Sequence, residues 1–501
     1  MPNCTTFIRN ALVVDGSGET PQTADVAIDA GRILAIGAVG ALQNYQAEEI
    51  IDAQGEVLAP GFIDVHTHDD LYVIRNPEML PKLSQGVTTV IVGNCGISAA
   101  PVGLRGGLPD PMNLLGEAEA FRYPTFASYV EAIAAARPTV NVAALVGHTA
   151  LRSNHMDRLD RSATSSEIDA MRTQLQEALA HGALGLSTGL AYLSAYSAST
   201  EEVASLAEPL ADAGAIYATH LRSESEAILQ AMEEACNIGR RAHVPVVISH
   251  LKCAGIANWG RSAEVLEWLD QSREGQPIGW DCYPYAAGSS TLDLRQVDER
   301  VTIRITWSNP HPEMAGQTLA QIAEVWGLGH REAAQRLQPA GAIYHSIAEE
   351  DMRAILRHPA TMIGSDGLPN DPLPHPRLWG TFPRVLGYYC REQGLFPLAE
   401  AIRKMTSLPA QRFGLTDRGY IRAGYHADLV LLNPETIRDL ATFDDPIRSA
   451  AGIESVWVNG MLTYRDQTTT GKRAGRFLPR QTKEAIVPAE RYAGFTKFQQ
   501  Q

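Results

Sequence analysis

Two histidines separated by one residue are the first feature of the sequence that could bind a metal. His66 and His68 follow a short apolar stretch, 62–65, that begins after a Pro-Gly pair. Side chains at positions i and i+2 of a strand point to the same side, so both imidazoles could face one ion. Two polar residues at the end of a strand are also compatible with a structural role, so the rest of the sequence has to decide.

Other residues of the zinc-ligand type follow other predicted strands. Imidazole, thiolate and carboxylate groups are the usual ligands of zinc, and a catalytic zinc keeps one coordination position open. A histidine taken alone is more often structural, whereas several ligand types at separate strand ends favour a shared metal site. Zinc lowers the pKa of a bound water toward about 7 and polarises carbonyl oxygens, which indicates a hydrolase. The candidates beyond His66 and His68 are Cys95, His220, His250 and Asp366.

Asp366 is also the candidate for proton transfer. A carboxylate beside the metal could take a proton from the attacking water and deliver it to a leaving amine. In Ser365-Asp366-Gly367 the same aspartate could instead cap a helix that follows the last strand. The sequence leaves both roles open.

The central part of the chain predicts the frame that would bring these residues together. Apolar strands alternate with helical stretches, which is typical of βα units and a parallel sheet. Eight such strands can close a (β/α)8 barrel, in which the C-terminal strand ends converge on one face and build the active site. A doubly wound open sheet would spread the same groups along a crevice. The candidate strands are 62–65, 88–92, 140–146, 185–187, 216–219, 245–248, 278–282 and 361–363.

Both ends of the chain are typical of short strands closed by turns. Segments 7–57 and 426–460 alternate apolar and polar residues between tight turns. We predict that they form one small β-sandwich, because two independent pieces would leave more open sheet edges. The long segment 286–346 before the last barrel strand predicts a lid or a small inserted domain, unless it is only decorative. The predicted α/β architecture divides into a sandwich part at 1–61, the barrel at 62–415, and a second sandwich part with a tail at 416–501.

Bulk composition restricts the classes of partner. The chain has 501 residues and a net charge of −15, which argues against nucleic acid or an anionic membrane as the main partner. No apolar run reaches the roughly 18 residues of a membrane-spanning helix. Residues 1–10 also show no signal-peptide pattern, so we expect a cytoplasmic protein. The six cysteines are widely spread without paired spacing, so we expect reduced thiols. The spacing of residues carries no information on the oligomeric state.

The motifs, taken together, resemble the amidohydrolase superfamily. Residues 60–68, Pro-Gly-Phe-Ile-Asp-Val-His-Thr-His, are similar to its first-strand signature. Four further blocks resemble the N-acyl-D-amino-acid deacylase (D-aminoacylase) family, including its N-acyl-D-glutamate branch, and the block around Cys95 is the most specific. These blocks are Gly-Asn-Cys-Gly at 93–96, Gly-Leu-Ser-Thr-Gly-Leu-Ala-Tyr at 185–192, Ile-Ser-His-Leu-Lys at 248–252 and Ile-Gly-Ser-Asp-Gly at 363–367.

The resemblance implies one tightly bound zinc, held by Cys95, His220 and His250. By the same resemblance, His66 and His68 line a second position with Asp366, and that position is weakly occupied or empty. Asp366 is then the acid and base of the reaction, and Tyr192 helps to polarise the amide carbonyl.

One departure from the hydantoinases and dihydroorotases is informative. Those enzymes carry a carbamylated lysine after the fourth strand that bridges two metals. Here the fourth strand runs into Ser187-Thr188-Gly189 without a lysine, so a bridging carbamate is not expected.

The resemblance also implies a substrate with a free α-carboxylate, the small molecule being an N-acyl-D-amino acid. Lys252, Tyr283, Ser289 and Arg377 are the implied contacts, and a guanidinium suits bidentate binding of a carboxylate. We hypothesise that Arg295, within the inserted segment, pairs with a second carboxylate and favours N-acyl-D-glutamate; an exposed surface arginine is the alternative. A deacylase for hydrophobic D-amino acids, a cyclic amidohydrolase and a non-catalytic scaffold are the other functions left open.

Overall fold

The protein is built around a barrel of eight parallel strands, and the predicted (β/α)8 fold is confirmed. A computed structural model describes residues 3–481. The third strand is interrupted at Leu145, which divides the hydrogen-bonded ladder into a three-stranded and a six-stranded part. The first and last strands close the barrel, since Asp366 N donates to His66 O at 2.7 Å and His68 N donates to Gly367 O at 3.0 Å. The barrel strands are Phe62–Asp64, Val87–Val92, Asn141–Ala144 with Val146–Gly147, Gly185–Gly189, Ile216–His220, Val246–Ile248, Ile278–Cys282 and Thr361–Ile363.

Most barrel strands are rich in apolar residues, as expected of strands that are buried on both faces. Every residue of Val87–Val92 is buried, as is typical of a parallel sheet covered by helices. Helix Ser165–Ala180 is one of the covering helices. It begins with a capping box formed by Thr164 and Glu167. The helices around the barrel are Tyr72–Arg75, Leu80–Leu83, Phe126–Ala136, His148–His155, Ser165–Ala180, Leu193–Tyr196, Thr200–Ala207, Pro209–Ala213, Ile228–Ala242, Ser262–Arg273, Glu349–Arg357, Arg377–Arg384, the π-helix Val385–Glu392, Leu398–Met405 and Ser407–Phe413.

A second sheet is assembled from both ends of the chain. Strand Val57–Pro60 joins the two contributions, because it pairs in parallel with Asn3–Val13 and antiparallel with Leu429–Leu432. The same strand leads directly into the first barrel strand, so the sheet anchors the segment that carries His66 and His68. The nine strands are Asn3–Val13, Gln22–Asp29, Arg32–Ala38, Gln46–Asp52, Val57–Pro60, Leu429–Leu432, Ile453–Val458, Met461–Arg465 and Thr468–Thr469.

The segment before the last barrel strand folds as a small unit with its own apolar core. It contains a three-stranded antiparallel sheet and two helices that bury Ile305, Leu319 and Ala342, among other residues. Its strands are Gly288–Thr291, Ile303–Ser308 and Ala340–Tyr344, and its helices are Leu319–Trp326 and His330–Leu337.

The division of the chain at residues 61 and 415 stays a proposal. The first position lies between Val57–Pro60 and Phe62–Asp64, and the second follows helix Ser407–Phe413. The last part of the predicted tail, 482–501, lies outside the described residues. Between residues 3 and 481, no helix combines the length and the apolar character needed to cross a bilayer. All six cysteines are free thiols, and a cytoplasmic location stays a prediction.

Candidate metal centre and substrate site

The C-terminal strand ends bring four of the predicted metal ligands into one buried cluster. One ligand atom from each of His66, Cys95, His250 and Asp366 lies within 4.8 Å of all the others. Cys95 Sγ lies 3.2 Å from His66 Nε2 and 3.3 Å from His250 Nε2. His68 follows the first strand, as His66 does, and its Nε2 lies 3.2 Å from Asp366 Oδ1. The predicted His-x-His pair therefore faces the same point as the other strand ends.

His220 lies beside this cluster. Its ring centroid is 4.5 Å from that of His250, and a second group capable of binding a metal consists of His220, Glu224 and His250. The His220 Nε2 atom is 3.7 Å from Glu224 Oε2. Its Nδ1 atom is buried and has no hydrogen-bond partner among residues 3–481, so it is available as a ligand.

Three residues of the cluster adopt left-handed backbone conformations. The φ angles are +53° at Cys95, +36° at His250 and +49° at Asp366. A residue with a side chain in this region costs on the order of 1–3 kcal/mol and persists where the surrounding structure enforces it. Such strain clusters at functional sites, and here it coincides with three members of the buried ligand cluster.

The chemistry of the cluster fits zinc. Burial opposes ionisation of Cys95, but His66 and His250 lower the pKa of its thiol well below the ordinary value. The thiolate is the form that binds metals. Thiolate, imidazole and carboxylate groups are the donors that zinc prefers, and here they lie within 4.8 Å of one another.

Asp281 on the seventh strand lies behind His66. The Asp281 carboxylate lies 3.5 Å from His66 Nδ1 and also accepts a hydrogen bond from His250 N at 3.0 Å. Gly364 permits this approach, because a Cβ atom there would lie 2.6 Å from His66 Cβ and 2.8 Å from Asp281 Oδ1. A carboxylate behind a ligating histidine fixes its orientation and tautomer.

Asp366 faces both the cluster and the predicted substrate contacts. Arg377 Nη2 lies 2.9 Å from Asp366 Oδ2. Burial opposes ionisation of Asp366, but Arg377 and His250 outweigh it and lower the pKa of the carboxyl well below its ordinary value. Asp366 is thus an ionised carboxylate beside the candidate ligands, and the helix-cap interpretation is not needed to explain its position.

Unpaired polar atoms surround Arg377. The Tyr283 hydroxyl, the Ser289 hydroxyl and the Nε and Nη1 atoms of Arg377 are buried without hydrogen-bond partners in the described part of the chain. The Arg377 guanidinium lies 4.6 Å from the Tyr283 ring centroid, and its Nη2 donates to Ser289 O at 3.1 Å. Buried donors are normally satisfied, so this group is suited to an anionic ligand.

Lys252 is close to this group but already has a partner. Its Nζ atom is 5.8 Å from the Tyr283 ring centroid and 2.5 Å from Glu224 Oε1. Burial lowers the pKa of Lys252, but Glu224 outweighs this effect and raises it. Lys252 is therefore a cation whose charge is balanced within the protein.

The remaining predicted residues lie at different distances from the cluster. Tyr192 packs its ring 4.9 Å from His220, and its hydroxyl is 3.5 Å from Ser290 Oγ. Arg295 is outside the cluster, 42% exposed and paired with Asp293 at 2.6 Å. It is nevertheless joined to the Tyr192 segment, because its Nη2 donates to Ala191 O at 2.7 Å.

Other polar residues at the strand ends have different roles. His148, which follows the third strand, is buried with its Nε2 at 3.1 Å from Glu202 and does not join the cluster. Glu224 and Asp281 have no role predicted from the sequence, although both face the candidate ligands. Asp281 lies at the end of a predicted strand, and this position is a signal that it faces the site. Glu224 lies in a loop, where the sequence gives no such signal.

Comparison with known proteins places these features in a family. A family model described as amidohydrolase matches residues 49–464. The D-aminoacylase of Alcaligenes xylosoxydans xylosoxydans is 49% identical over 474 residues, which cover 95% of this chain and 97% of that protein. The N-acyl-D-aspartate deacylase of the same organism is 48% identical over 473 residues, covering 94% of each chain.

A solved structure agrees with these relatives. The N-acyl-D-glutamate deacylase of Bordetella bronchiseptica, complexed with zinc and a phosphonate mimic of the tetrahedral intermediate, is 44% identical with a TM-score of 0.91. The match covers 95% of this chain and 100% of that chain. The chain therefore belongs to the amidohydrolase family, within its group of D-aminoacylases and related N-acyl-D-amino-acid deacylases.

Proposed function

We propose that the protein is a zinc-dependent deacylase that hydrolyses the amide bond of N-acyl-D-amino acids and favours N-acyl-D-glutamate. The observation that carries the proposal is the position of Asp366. It contributes to the ligand cluster with Cys95 and lies 2.9 Å from Arg377, beside the unpaired hydroxyls of Tyr283 and Ser289. A linear amide with a carboxylate on its amine side would span these two groups.

The metal would be held by residues of the two candidate ligand groups that share His250. Cys95, His220 and His250 are the proposed tight ligands, and His66 and His68 line a second, weaker position with Asp366. Zinc, when bound, supplies Lewis acidity toward the amide carbonyl and activates water for attack.

Asp366 is proposed to move the proton. Its carboxylate is ionised because Arg377 and His250 lower its pKa, so it can accept a proton from the nucleophile and donate it to the leaving nitrogen. A substrate carboxylate that shares the Arg377 guanidinium would weaken the effect of Arg377 on the pKa of Asp366. Asp366 would then be a better base. Tyr192, whose ring packs against His220, is proposed to donate a hydrogen bond to the carbonyl oxygen.

The other functions are less well supported. A hydantoinase-like cyclic amidohydrolase is disfavoured, because the fourth strand, Gly185–Gly189, contains no lysine that could carry a carbamate. A non-catalytic scaffold would have no use for three strained residues in one pocket. A deacylase for hydrophobic D-amino acids remains the nearest alternative, since D-aminoacylase is among the similar proteins.

Asp366→Asn tests the mechanism. Loss of the proton carrier should lower kcat about 10²–10⁴-fold, which is the usual contribution of general acid–base catalysis. The assay is hydrolysis of N-acetyl and N-formyl derivatives of both enantiomers of glutamate, aspartate, leucine and methionine, with zinc content measured in parallel. Asp270→Asn, an aspartate 51% exposed, is the matched control and should retain full activity. Full activity in the Asp366 variant would refute the mechanism.

The preference for D-glutamate rests on Arg295. Asp293 forms several hydrogen bonds with this guanidinium, the shortest at 2.6 Å, and neutralises it in the absence of substrate. A second substrate carboxylate must therefore displace Asp293 or share Arg295 with it. Burial of the α-carboxylate at Arg377 would leave the side-chain carboxylate to reach the Ala191–Arg295 edge.

Two variants separate this preference from general activity. Arg295→Ala should lower kcat/KM for N-acyl-D-glutamate about tenfold or more, the loss of one charge-assisted contact, and leave D-leucine and D-methionine derivatives unchanged. Asp293→Asn keeps an oxygen that can accept from the Arg295 backbone N–H, a contact of 2.8 Å in the wild type. Because it removes the charge that neutralises Arg295, it should raise the preference for D-glutamate. An unchanged order among glutamate, leucine and methionine derivatives in Arg295→Ala would sink the assignment and favour a deacylase of hydrophobic D-amino acids.

A further inference from the structure

Glu224 is a largely buried carboxylate that the proposed reaction does not use. It follows the fifth barrel strand, four residues after His220, and its side chain is 15% exposed. Its Oε1 atom lies 2.5 Å from Lys252 Nζ and 2.9 Å from His250 Nδ1, and its Oε2 atom lies 3.7 Å from His220 Nε2. One carboxylate therefore contacts two candidate zinc ligands and one candidate substrate-binding cation.

The two nitrogens of His250 face different groups. Nε2 lies 3.3 Å from Cys95 Sγ, on the side of the ligand cluster, whereas Nδ1 faces Glu224 and Lys252. An imidazole that ligates a metal through Nε2 carries its proton on Nδ1 and needs an acceptor there. Lys252 Nζ, at 2.8 Å from Nδ1, is itself a donor, so Glu224 is the group that can accept from both.

Glu224 is also fixed by its own backbone. Ala254 N donates to Glu224 O at 2.7 Å, which joins the loop after the fifth strand to the loop after the sixth. His250 is strained, with φ +36°, so its ring orientation depends on these neighbours rather than on a relaxed backbone.

We propose that Glu224 is a positioning residue that sets the tautomer of His250 and places Lys252. The inference rests on the proposed function, because it gives Glu224 a task in a site that binds zinc and an acyl amino acid. Replacing the carboxylate with a neutral amide leaves one carbonyl oxygen to accept from two donors, Nδ1–H and the ammonium group, and removes the charge that balances Lys252. Both the metal ligand and the substrate contact are then misplaced by one substitution.

The test compares two isosteric variants of the full-length protein. Glu224→Gln should bind zinc about 10–100-fold more weakly than wild type in competition with a chelator, the usual effect of losing a carboxylate behind a ligating histidine. Glu234→Gln is the matched control, because Glu234 pairs with Arg222 at 2.8 Å and touches none of the candidate ligands. It should bind zinc as wild type does. Glu224→Asp, which retains the charge, should recover part of the affinity.

Kinetics supply the second readout. Because Lys252 loses its anchor, Glu224→Gln should also raise KM for the best N-acyl-D-amino acid, whereas Glu234→Gln should leave KM unchanged. Wild-type zinc affinity in Glu224→Gln, or an equal loss in both Gln variants, would overturn the proposal. A wild-type protein that binds zinc but hydrolyses none of the amides would refute the proposed function only, since the zinc comparison still decides the role of Glu224. A wild-type protein that binds no zinc would overturn both.

Discussion

Two buried lysines lie at opposite ends of the last barrel strand, Thr361–Ile363, and their surroundings differ. Lys82 lies at the active-site end, where its ammonium group donates to Ser365 Oγ at 3.0 Å. Lys404 lies at the other end and donates to Thr361 O at 3.4 Å. Both side chains have 0% exposure, so the difference between them comes from their partners.

Lys82 is surrounded by carboxylates. Its Nζ atom lies 2.8 Å from Asp64 and 3.2 Å from Asp69, and it donates to Thr67 Oγ1 at 2.9 Å. Burial lowers the pKa of Lys82, but the two aspartates outweigh it and raise the pKa above its ordinary value. Asp64 in turn accepts from Ser365 N at 2.8 Å, so the network joins the first and last strands below the candidate ligands.

Lys404 has mainly uncharged partners. Besides Thr361 it donates to the carbonyl oxygen of His358, and the nearest carboxylate, Glu400, is 3.8 Å away. Burial therefore dominates and lowers the pKa of Lys404 to about 7. At equal burial, carboxylates within hydrogen-bond distance decide whether a lysine stays charged. The active-site end of the barrel supplies them and the opposite end does not.

Lys82→Met should give the larger effect of the two lysine substitutions. It leaves Asp64 and Asp69 buried without a cation, and breaking a buried ion pair on one side costs about 3–5 kcal/mol. Urea unfolding at neutral pH measures the loss in free energy of unfolding. The loss should shrink at acid pH, because protonation of the freed aspartates removes the unpaired charge.

Lys472→Met is the control for this substitution, because Lys472 is an exposed lysine. It should change the free energy of unfolding by less than about 0.5 kcal/mol. If Lys82→Met were equally mild, the two aspartates would not depend on the lysine, and the contrast between the ends of the strand would fail.

The sequence predicts the barrel well because its strands are read from local patterns. Buried parallel strands appear as short apolar runs, and all eight predicted runs coincide with strands of the barrel. The convergence of His66, Cys95, His250 and Asp366 follows from the barrel rule that C-terminal strand ends meet. These features need no knowledge of which distant residues touch.

The partners of these residues could not be predicted because they are remote in sequence and lie off the strands. Lys82 is 283 residues from Ser365, and Glu224 is 28 residues from Lys252. The pairing of Asp293 with Arg295 was equally invisible, since two charges two positions apart carry no signal of which way they point. Such contacts depend on loop conformations, which hydrophobic periodicity does not encode.

Lys404→Met should give a smaller effect whose sign depends on pH. The pKa of Lys404 falls from 10.5 to about 7 on folding, so between these values the unfolded chain binds a proton that the folded chain does not. The contribution of Lys404 to the free energy of unfolding of the wild type therefore rises with pH across this window. The full cost of burying the protonated lysine is present below about pH 7. Relative to wild type, the Met variant should be more stable near pH 6 and lose that advantage toward about pH 10.

Urea unfolding of the wild type and the Met variant at several pH values measures the difference between their free energies of unfolding. The other titrating groups are the same in both proteins, so their contributions cancel in that difference. The expected change is on the order of a few kcal/mol across the window. Lys472→Met should show no such trend. A difference that is flat with pH would mean that Lys404 stays charged when folded, and the two lysines would then be alike.

Glu400→Gln should give the smallest effect and refines the explanation for Lys404. The carboxylate is 25% exposed and 3.8 Å from Lys404 Nζ, and it also pairs with Arg403 at 2.7 Å. A double-mutant cycle with Lys404→Met removes the Arg403 contribution and isolates the coupling between Glu400 and Lys404. Because the attraction requires a protonated lysine, the coupling should be about 0.5–1 kcal/mol near pH 6 and vanish near pH 10. Equal coupling at both pH values would show that Glu400 acts on Lys404 through packing, and that carboxylate distance is not what separates the two ends of the strand.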